Sequence, residues 1–263
     1  MRDDKLENEP CAEWLKKARR IVDYIEKTQM ETIKKAANVI ATSIISGHFC
    51  YVFGTGHSHM MAVEMFPRYG GILGVCPILS TPLNWFTRMI GDLGIGESTW
   101  LESQEEYGRI LLEDYYDIHP RKDSIIVCSH SGITPAAVEI ALRAKEKGAT
   151  VISVCSIAHA KSRKAKHSSG KKLFEVADIA IDTGVPIGDV MIDVPGLGIK
   201  VGPGSSIANI VVANLLSIEV TRVMIEKGTK PLIVPNPAVT PDAEEIERKL
   251  VKEFRRRIGE HLT

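Results

Sequence analysis

The chain has 263 residues, of which 44% are hydrophobic and 25% charged, the balance of an ordinary globular protein rather than a disordered one. Lysine plus arginine and aspartate plus glutamate number 33 each, and this neutrality disfavours non-specific binding to nucleic acid. The five cysteines are odd in number and form no CxxC pair, which predicts reduced thiols. With a charged N-terminus and no apolar run near the roughly 20 residues of a membrane span, we expect a cytoplasmic protein.

The N-terminal segment carries apolar residues at helical spacing between Trp14 and Ile45, which predicts two helices or one kinked helix. Thr28, followed three positions later by Glu31, has the capping-box pattern and places a new helix start there. A long apolar stripe of this kind packs on its own domain or forms a subunit interface, and the sequence leaves both open.

Short apolar runs alternate with helical segments along the rest of the chain, which predicts a parallel sheet covered on both faces in a single domain. The predicted strands are residues 50–53, 72–79, 125–128, 150–155 and 177–182. Between the second and third strands, residues 81–96 could be a lid or a surface loop, and residues 97–117 read as an acidic solvated helix. A long apolar helix from Ser206 to Lys227 is predicted next. After it, the proline-rich residues 231–241 and a charged helix over 242–261 read as an arm that packs elsewhere and could reach a neighbouring subunit.

Two loops of small residues follow the first and third predicted strands directly. They are Gly54-Thr55-Gly56-His57-Ser58-His59 and Ser129-His130-Ser131-Gly132-Ile133-Thr134. Each loop opens a helix, so backbone N–H groups and hydroxyls point at one crevice beyond the carboxyl ends of the strands. A hydroxyl-rich turn can also simply cap its own helix, but two such loops on two strands favour a phosphate site.

These loops resemble those of sugar isomerase (SIS) domain proteins, such as phosphoheptose isomerases and N-acetylmuramic acid 6-phosphate etherases. The G-x-G-x-S pattern is matched by Gly54, Gly56 and Ser58, and S-x-S-G-x-T is matched by Ser129, Ser131, Gly132 and Thr134. The following helix with Ala144-Lys145, then Gly148 and an apolar strand, also fits. The resemblance spans about residues 38–227.

The resemblance implies a three-layer αβα, flavodoxin-like fold with a five-stranded parallel sheet. The expected organisation is one SIS domain over residues 1–263, with N-terminal helices at about 10–47, a core at about 48–228, and an arm with a last helix at about 229–263. It further implies binding of a sugar phosphate, in a homodimer or homotetramer. We expect Gly54, Thr55, Gly56, His57, Ser58, Ser129, His130, Ser131, Gly132 and Thr134 to contact this substrate.

Glu64 is the candidate general base, because it lies in an apolar stretch of the helix after the first loop, where phosphoheptose isomerases carry a catalytic Glu. The alternative is an ion pair with Arg68 one turn later. His59 is the second candidate catalytic residue, since an imidazole beside the anion can move a proton near neutral pH. His57 and His59 form a His-x-His pair without a third ligand, so we expect no metal and no cofactor.

Ser205 and Ser206 open the long apolar helix and are candidate substrate ligands, or else its N-cap. Phosphoheptose isomerases carry a Gln and then a His on the matching helix. Residues 207–213 supply neither, so the isomerase's second catalytic group is missing.

The sequence therefore predicts a sugar-phosphate isomerase or an etherase using a Glu general base, with a non-catalytic sugar-phosphate sensor as the alternative. Regulators of that kind usually carry a separate DNA-binding domain, for which the residues before the first strand are too few. Flavin or dinucleotide binding is disfavoured, because the first loop lacks the third glycine of G-x-G-x-x-G. Residues 161–172 hold six bases and no acid, and read as a solvated loop or as a flap that closes on the phosphate.

Overall fold

In the computed structural model, which describes residues 9–80, 83, 94–113 and 122–261, a five-stranded parallel sheet has the order β2-β1-β3-β4-β5. Its strands are β1 (Cys50–Gly54), β2 (Val75–Ile78), β3 (Ser124–Cys128), β4 (Thr150–Cys155) and β5 (Ile179–Asp182). Every residue of the central β1 and β3 is buried, as expected for strands covered on both faces. The predicted three-layer, flavodoxin-like architecture is confirmed.

Ten helices are described, with a short 3₁₀ turn (Gly56–His59) between β1 and α3. They are α1 (Pro10–Thr28), α2 (Met30–Ile45), α3 (Met60–Met65), α4 (Gly94–Glu102), α5 (Glu105–Glu113), α6 (Pro135–Glu146), α7 (Ile157–Lys161), α8 (Leu173–Val176), α9 (Ser205–Glu226) and α10 (Ala243–His261). Two further strands, β6 (Val190–Asp193) and β7 (Lys200–Pro203), pair as an antiparallel hairpin that the sequence did not predict.

The alternation of side chains along the strands divides the core between the two faces of the sheet. Val52 and Ile126 belong to one buried cluster with side chains of α2, α3 and α9. Tyr51 and Ile125 belong to the other, with side chains of α5, α6 and α8. At the usual burial energy of about 25 cal/mol per Å² of apolar surface, these two clusters are the main stabilising contribution to the fold.

The predicted N-terminal helices are confirmed as two, and the break lies at Gln29. The predicted capping box is wrong, because Gln29 is the N-cap of α2 and no side chain caps that helix. The Thr28 hydroxyl instead donates to the carbonyl of Tyr24 in its own helix. The side-chain oxygen of Gln29 accepts from the backbone N–H of Asp182, which ties the break to the end of β5.

Helix α9 is long and apolar enough to span a bilayer by length and composition, and it is the only such helix among the described residues. The expectation that the chain has no such run is therefore wrong. Its buried side chains, including Ala208, Val212 and Leu216, pack in the cluster that covers one face of the sheet. The core helix of a globular protein has the same composition, which accounts for the run.

The C-terminal arm folds back on the chain's own sheet edge. Residues of the arm pair with those before β2, since Leu73 N–H donates to Leu232 O at 2.9 Å and Val234 N–H donates to Gly71 O at 2.9 Å. Phe254 of α10 packs against Phe49 with ring centroids 6.3 Å apart. The prediction that the arm packs elsewhere is therefore wrong for this segment.

The acidic stretch forms α4 and α5 rather than one helix, with the break at residues 103–104. Residues 114–117 of that stretch lie outside the described residues, as does most of the suggested lid at 81–96. The lid therefore stays a prediction.

Candidate functional site

The two small-residue loops leave the sheet at neighbouring strands. The register of β1 and β3 pairs Gly54 with Cys128, so the first residue of each loop follows at the same level of the sheet. In the order β2-β1-β3, the connections from β1 and β3 run to opposite sides, and ligands of open α/β sheets bind in the crevice at such a point. Both loops therefore lie at the position in the fold where such a crevice forms.

The second loop gathers three hydroxyls into a compact triangle. Ser129 Oγ lies 3.5 Å from Ser131 Oγ and 3.2 Å from Thr134 Oγ1, and Ser131 Oγ lies 3.2 Å from Thr134 Oγ1. We call this set the hydroxyl triangle. Gly132 has a φ of 64° between its members, a backbone conformation that L side chains rarely adopt.

The hydroxyl triangle lies at the N-terminus of α6. Thr134 is the N-cap, but its side chain makes no cap hydrogen bond, because the hydroxyl is turned toward the two serines. Pro135 takes the first helical position, where a missing N–H costs nothing. The first N–H groups of any helix have no partner within it and carry the positive end of its dipole. Three hydroxyl donors beside this helix end form an arrangement that can bind an anion such as a phosphate group.

The first loop is tightly folded against the second. A Cβ on Gly54 would lie 2.5 Å from the backbone carbon of Ser58, so only glycine fits where the chain turns back on β1. The Ser58 hydroxyl hydrogen-bonds the buried thiol of Cys128, the last residue of β3, and burial raises the pKa of that thiol to about 12. The loops are therefore in direct contact through Ser58.

The other members of the first loop make contacts of their own. The Thr55 hydroxyl donates to Glu102 of α4 at 2.8 Å, so Thr55 joins the loop to that helix. His59 Nδ1 is hydrogen-bonded to the carbonyl of Gly56, which orients the ring within the 3₁₀ turn, while the His57 side chain is exposed. Gly56 has a φ of 51°, in the left-handed region.

His130 lies between two members of the hydroxyl triangle, and neither ring nitrogen has a hydrogen-bond partner among the residues that the structure describes. Its ring meets the ring of His159 edge to face, with centroids 4.9 Å apart. Burial lowers the pKa of His130, an effect that the nearby carboxylate of Asp189 opposes and His159 reinforces. Burial thus disfavours the protonated form of this imidazole.

Ser205 is held by Asp189 at the start of α9. The Asp189 carboxylate accepts from the backbone N–H of Gly204 at 3.0 Å and of Ser205 at 2.7 Å, and from the Ser205 hydroxyl at 2.8 Å. Asp189 adopts a φ of 70° to do so, and it is the only such non-glycine residue among those described. The carboxylate therefore occupies the helix N-terminus that the sequence offered to a ligand, and Ser206 follows it as a half-buried residue of the first turn.

Glu64 lies on α3 with one carboxylate oxygen held and the other open. Arg68 and Asn214 both donate to Oε1, the latter at 2.8 Å from α9. Within the described part of the chain, Oε2 has no hydrogen-bond partner, and the side chain is 18% exposed. Glu64 lines a cavity of about 340 Å³ with Arg68, Tyr69 and Asn214. The ion pair with Arg68 that the sequence suggested as the alternative is present.

One further cluster has the composition of a metal site. Glu105, Glu139 and His167 bring their ligand atoms within 4.8 Å of one another. However, His167 Nδ1 accepts the backbone N–H of Ser169 at 3.0 Å, which places the ring proton on Nε2, facing the carboxylates. That proton is donated to Glu139 Oε2 at 2.9 Å, and Glu139 Oε1 accepts from Arg143. The cluster is a complete hydrogen-bonded anchor, which disfavours a metal ion.

Comparison with known proteins identifies the family of the chain. Residues 13–156, more than half of the chain, match the SIS domain family. The chain belongs to the SIS-domain family. The chain is 37% identical over 240 residues to a UPF0309 protein of Caldanaerobacter subterraneus, covering 90% of this chain and 94% of the relative. It is 34% identical over 254 residues to a UPF0309 protein of Thermoanaerobacter pseudethanolicus, covering 95% and 99%.

A solved phosphoheptose isomerase from Francisella tularensis superposes with a TM-score of 0.51 at 12% identity, covering 80% of this chain and 95% of the isomerase. At this identity the similarity shows the fold, and the predicted membership of the SIS family is confirmed by the sequence matches.

Several residues of this SIS domain's site were not found from its sequence. Asp189 and Asn214 are single polar residues in segments with no motif. Asp189 binds Ser205, 16 positions away along the chain, and Asn214 binds Glu64, 150 positions away. His159 lies just before the basic segment and belongs to no motif. A non-glycine residue with positive φ, such as Asp189, leaves no trace in a sequence pattern, so no signal could have found it.

Proposed function

We propose that this SIS-domain protein binds a phosphorylated sugar through the hydroxyl triangle and acts on it as an isomerase or an etherase. The observation that carries the proposal is the position of Ser129, Ser131 and Thr134 within 3.5 Å of one another at the N-terminus of α6. Each hydroxyl can donate to a different phosphate oxygen, and the helix end favours the negative charge. Family relationship adds support, since the phosphoheptose isomerase that shares this fold acts on a phosphorylated sugar by its name.

Glu64 is the proposed general base. Its Oε1 accepts from Arg68 and Asn214, which fixes the orientation of the carboxylate, and Glu64 lines the cavity beside α3. An aldose–ketose isomerase and an etherase that abstracts the proton α to a carbonyl need the same element, a carboxylate that removes a proton from carbon. His59, which lies in the 3₁₀ turn directly before α3, is proposed to move a second proton.

The chain is further proposed to work in the cytoplasm and as a homodimer or homotetramer. Support for assembly comes from α9, whose Ile218 is 63% exposed and lines the same cavity as Glu64. A second copy that covered Ile218 would enclose this cavity. Light scattering of the purified protein measures the assembly state, and a monomer at micromolar concentration would contradict this part of the proposal.

The binding step is tested by thermal unfolding of the protein with a panel of hexose, heptose and amino-sugar phosphates. A ligand at about 100 times its Kd stabilises the native state by roughly 2.7 kcal/mol, a shift of several degrees. Ser131→Ala should remove the shift. The matched control is Ser162→Ala, which removes an exposed hydroxyl that donates only to the carbonyl of His159. No shift with any sugar phosphate would contradict the proposal.

The catalytic step is tested with the ligand that gives the largest shift. In D₂O, the parent protein should exchange a carbon-bound hydrogen of that sugar for deuterium, which NMR detects. Glu64→Gln keeps the shape of the side chain and should lose exchange by roughly 10²-fold or more while it still binds. Binding without exchange by the parent would instead favour the non-catalytic sensor.

A further inference from the structure

A strongly basic segment lies beside the loop of residues 129–134, here called the phosphate loop. Residues 161–172, here called the basic strap, contain six bases and no acid: Lys161, Arg163, Lys164, Lys166, Lys171 and Lys172. The first five are exposed, and none of the six forms an ion pair with a described carboxylate. In a chain with 33 basic and 33 acidic residues, this excess of positive charge is local.

Both ends of the basic strap touch Gly132 of the hydroxyl triangle's loop. Ala160, directly before the strap, has its Cβ 3.1 Å from the position that a Gly132 Cβ would take. Leu173, directly after it, donates its backbone N–H to the carbonyl of Gly132 at 2.9 Å. The strap therefore starts and finishes at the phosphate loop.

The middle of the strap is fixed rather than free to close. His167 is buried and donates to Glu139 of α6, and Ser168 donates its backbone N–H and its hydroxyl to Glu105 of α5, each at 2.6 Å. These bonds hold the strap to two helices of the core. The flap interpretation of the sequence is therefore disfavoured, because closure would leave the buried Glu139 without its imidazole partner.

We propose that the basic strap is a fixed cationic rim that attracts anionic phosphomonoesters to the hydroxyl triangle. This inference rests on the proposed function and adds the element of the site that selects charge. The triangle itself is neutral, so it can accept hydrogen-bonding groups of any charge. Cations beside a site raise the local concentration of anions and their association rates by roughly 10- to 10³-fold.

One arginine of the strap lies close to a ring that contacts the phosphate loop. Arg163 is near enough to His159 to contribute to lowering its pKa, after burial as the larger cause, and the ring of His159 contacts that of His130 in the loop. Exposed charges act over a Debye length, about 8 Å at physiological salt, so the attraction must weaken as salt is added.

The test uses inorganic phosphate, which carries only the group that the triangle is proposed to hold. The variant is Arg163→Gln, Lys164→Gln and Lys166→Gln together, three exposed side chains without ion pairs among the described residues. The control is Arg248→Gln, Lys252→Gln and Arg255→Gln on α10, which removes the same charge. That helix lies at the opposite end of the sheet, since Arg257 donates to the carbonyl of Ile44 ahead of β1.

Phosphate affinity is measured by ³¹P NMR titration at about 20 mM and about 300 mM NaCl, concentrations at which screening differs strongly. At low salt the strap variant should bind roughly 10-fold more weakly than the parent, and its affinity should depend less on salt. The control variant should behave as the parent does. Unchanged thermal unfolding shows that the variants are folded.

Equal affinity and equal salt dependence of parent and strap variant would overturn the strap proposal. If Ser131→Ala still abolishes binding in that case, the hydroxyl triangle stands as the phosphate site and only the rim fails. If the parent binds neither phosphate nor any sugar phosphate, the proposed function and the rim fail together. Equal weakening in the α10 control would also overturn the proposal, because net charge rather than the strap would then be responsible.

Discussion

The ring of His130, in the loop that carries the hydroxyl triangle, meets the ring of His159 on α7 edge to face, with centroids 4.9 Å apart. Burial lowers the pKa of both imidazoles; for His159, Arg163 adds to the effect and Asp189 opposes it. In the unfolded chain each histidine has its ordinary pKa of about 6.5. As pH falls below that value, the histidines of the unfolded chain take up protons that those of the folded chain do not. The contribution to the free energy of unfolding is therefore fully present above pH ~6.5 and is lost as pH falls through the lower pKa of the folded state.

We therefore predict that the free energy of unfolding decreases between about pH 7 and about pH 5, and that His130→Gln reduces this slope. Glutamine has no charge to gain, so one of the two contributions disappears. Urea unfolding at several pH values measures the slope. The same slope in His130→Gln as in the parent would contradict the lowered pKa of the buried His130.

The buried pair of His167 and Glu139 should be a stabilising contact of the strap. Each side chain is at most 8% exposed, and removing the imidazole leaves a carboxylate oxygen buried without a donor. Hydrogen bonds to charged groups contribute about 1.5–3 kcal/mol, so His167→Ala should lower the free energy of unfolding by about 2 kcal/mol. Urea unfolding of parent and variant at one pH measures this loss.

The matched control is Lys166→Ala, at the exposed neighbouring position, where the change should stay within about 0.5 kcal/mol. His167→Gln keeps a side-chain donor and should recover part of the loss. Equal effects of His167→Ala and Lys166→Ala would show that the strap is not anchored at His167.

Much of this fold was readable in the sequence because its signals are local. The strand at residues 150–155 was predicted with the bounds that β4 has, since an apolar run between a glycine turn and a polar turn has few alternatives. The hydroxyl triangle was readable for the same reason, as its three members lie within six residues. Gly132 marked the turn between them.

Contacts between distant segments were not readable. The hairpin β6–β7 was missed because neither strand alternates between buried and exposed residues. The two middle residues of β6 are buried between exposed ends, and three of the four residues of β7 are exposed. Asn214 orients Glu64 across the interface of α3 and α9, and nothing near Asn214 distinguishes it from a surface residue. The capping-box pattern at Thr28 gave the break between helices but not its geometry, because tertiary contact of Gln29 with β5 decides the turn.

Gly54 should be intolerant of any side chain. A Cβ there would lie 2.5–2.8 Å from backbone atoms of Ser58 and His59, which have no flexible end that could move aside. We predict that Gly54→Ala destabilises the protein by about 1–3 kcal/mol, the usual cost of overpacking, and weakens phosphate binding because Ser58 is displaced. Thermal unfolding and ³¹P titration measure the two effects.

Gly259→Ala is the control, because a Cβ at that position in α10 meets nothing within 4 Å. Alanine favours a helix over glycine by roughly 0.5–1 kcal/mol, so this variant should be as stable as the parent or more so. A neutral Gly54→Ala would contradict the close approach of the first loop to β1.

The cysteines should differ sharply in reactivity. Cys11 is exposed on α1, whereas burial raises the pKa of Cys50 and Cys128 to about 12 and that of Cys76 to about 11. Burial also raises the pKa of Cys155. Because the thiolate is the nucleophile, a disulfide reagent at pH ~8 should modify one thiol per native chain quickly. All five thiols should react in denaturant. Cys11→Ser should abolish the fast phase, and a native protein that still lost a thiol at the same rate would show that one of the other four is accessible.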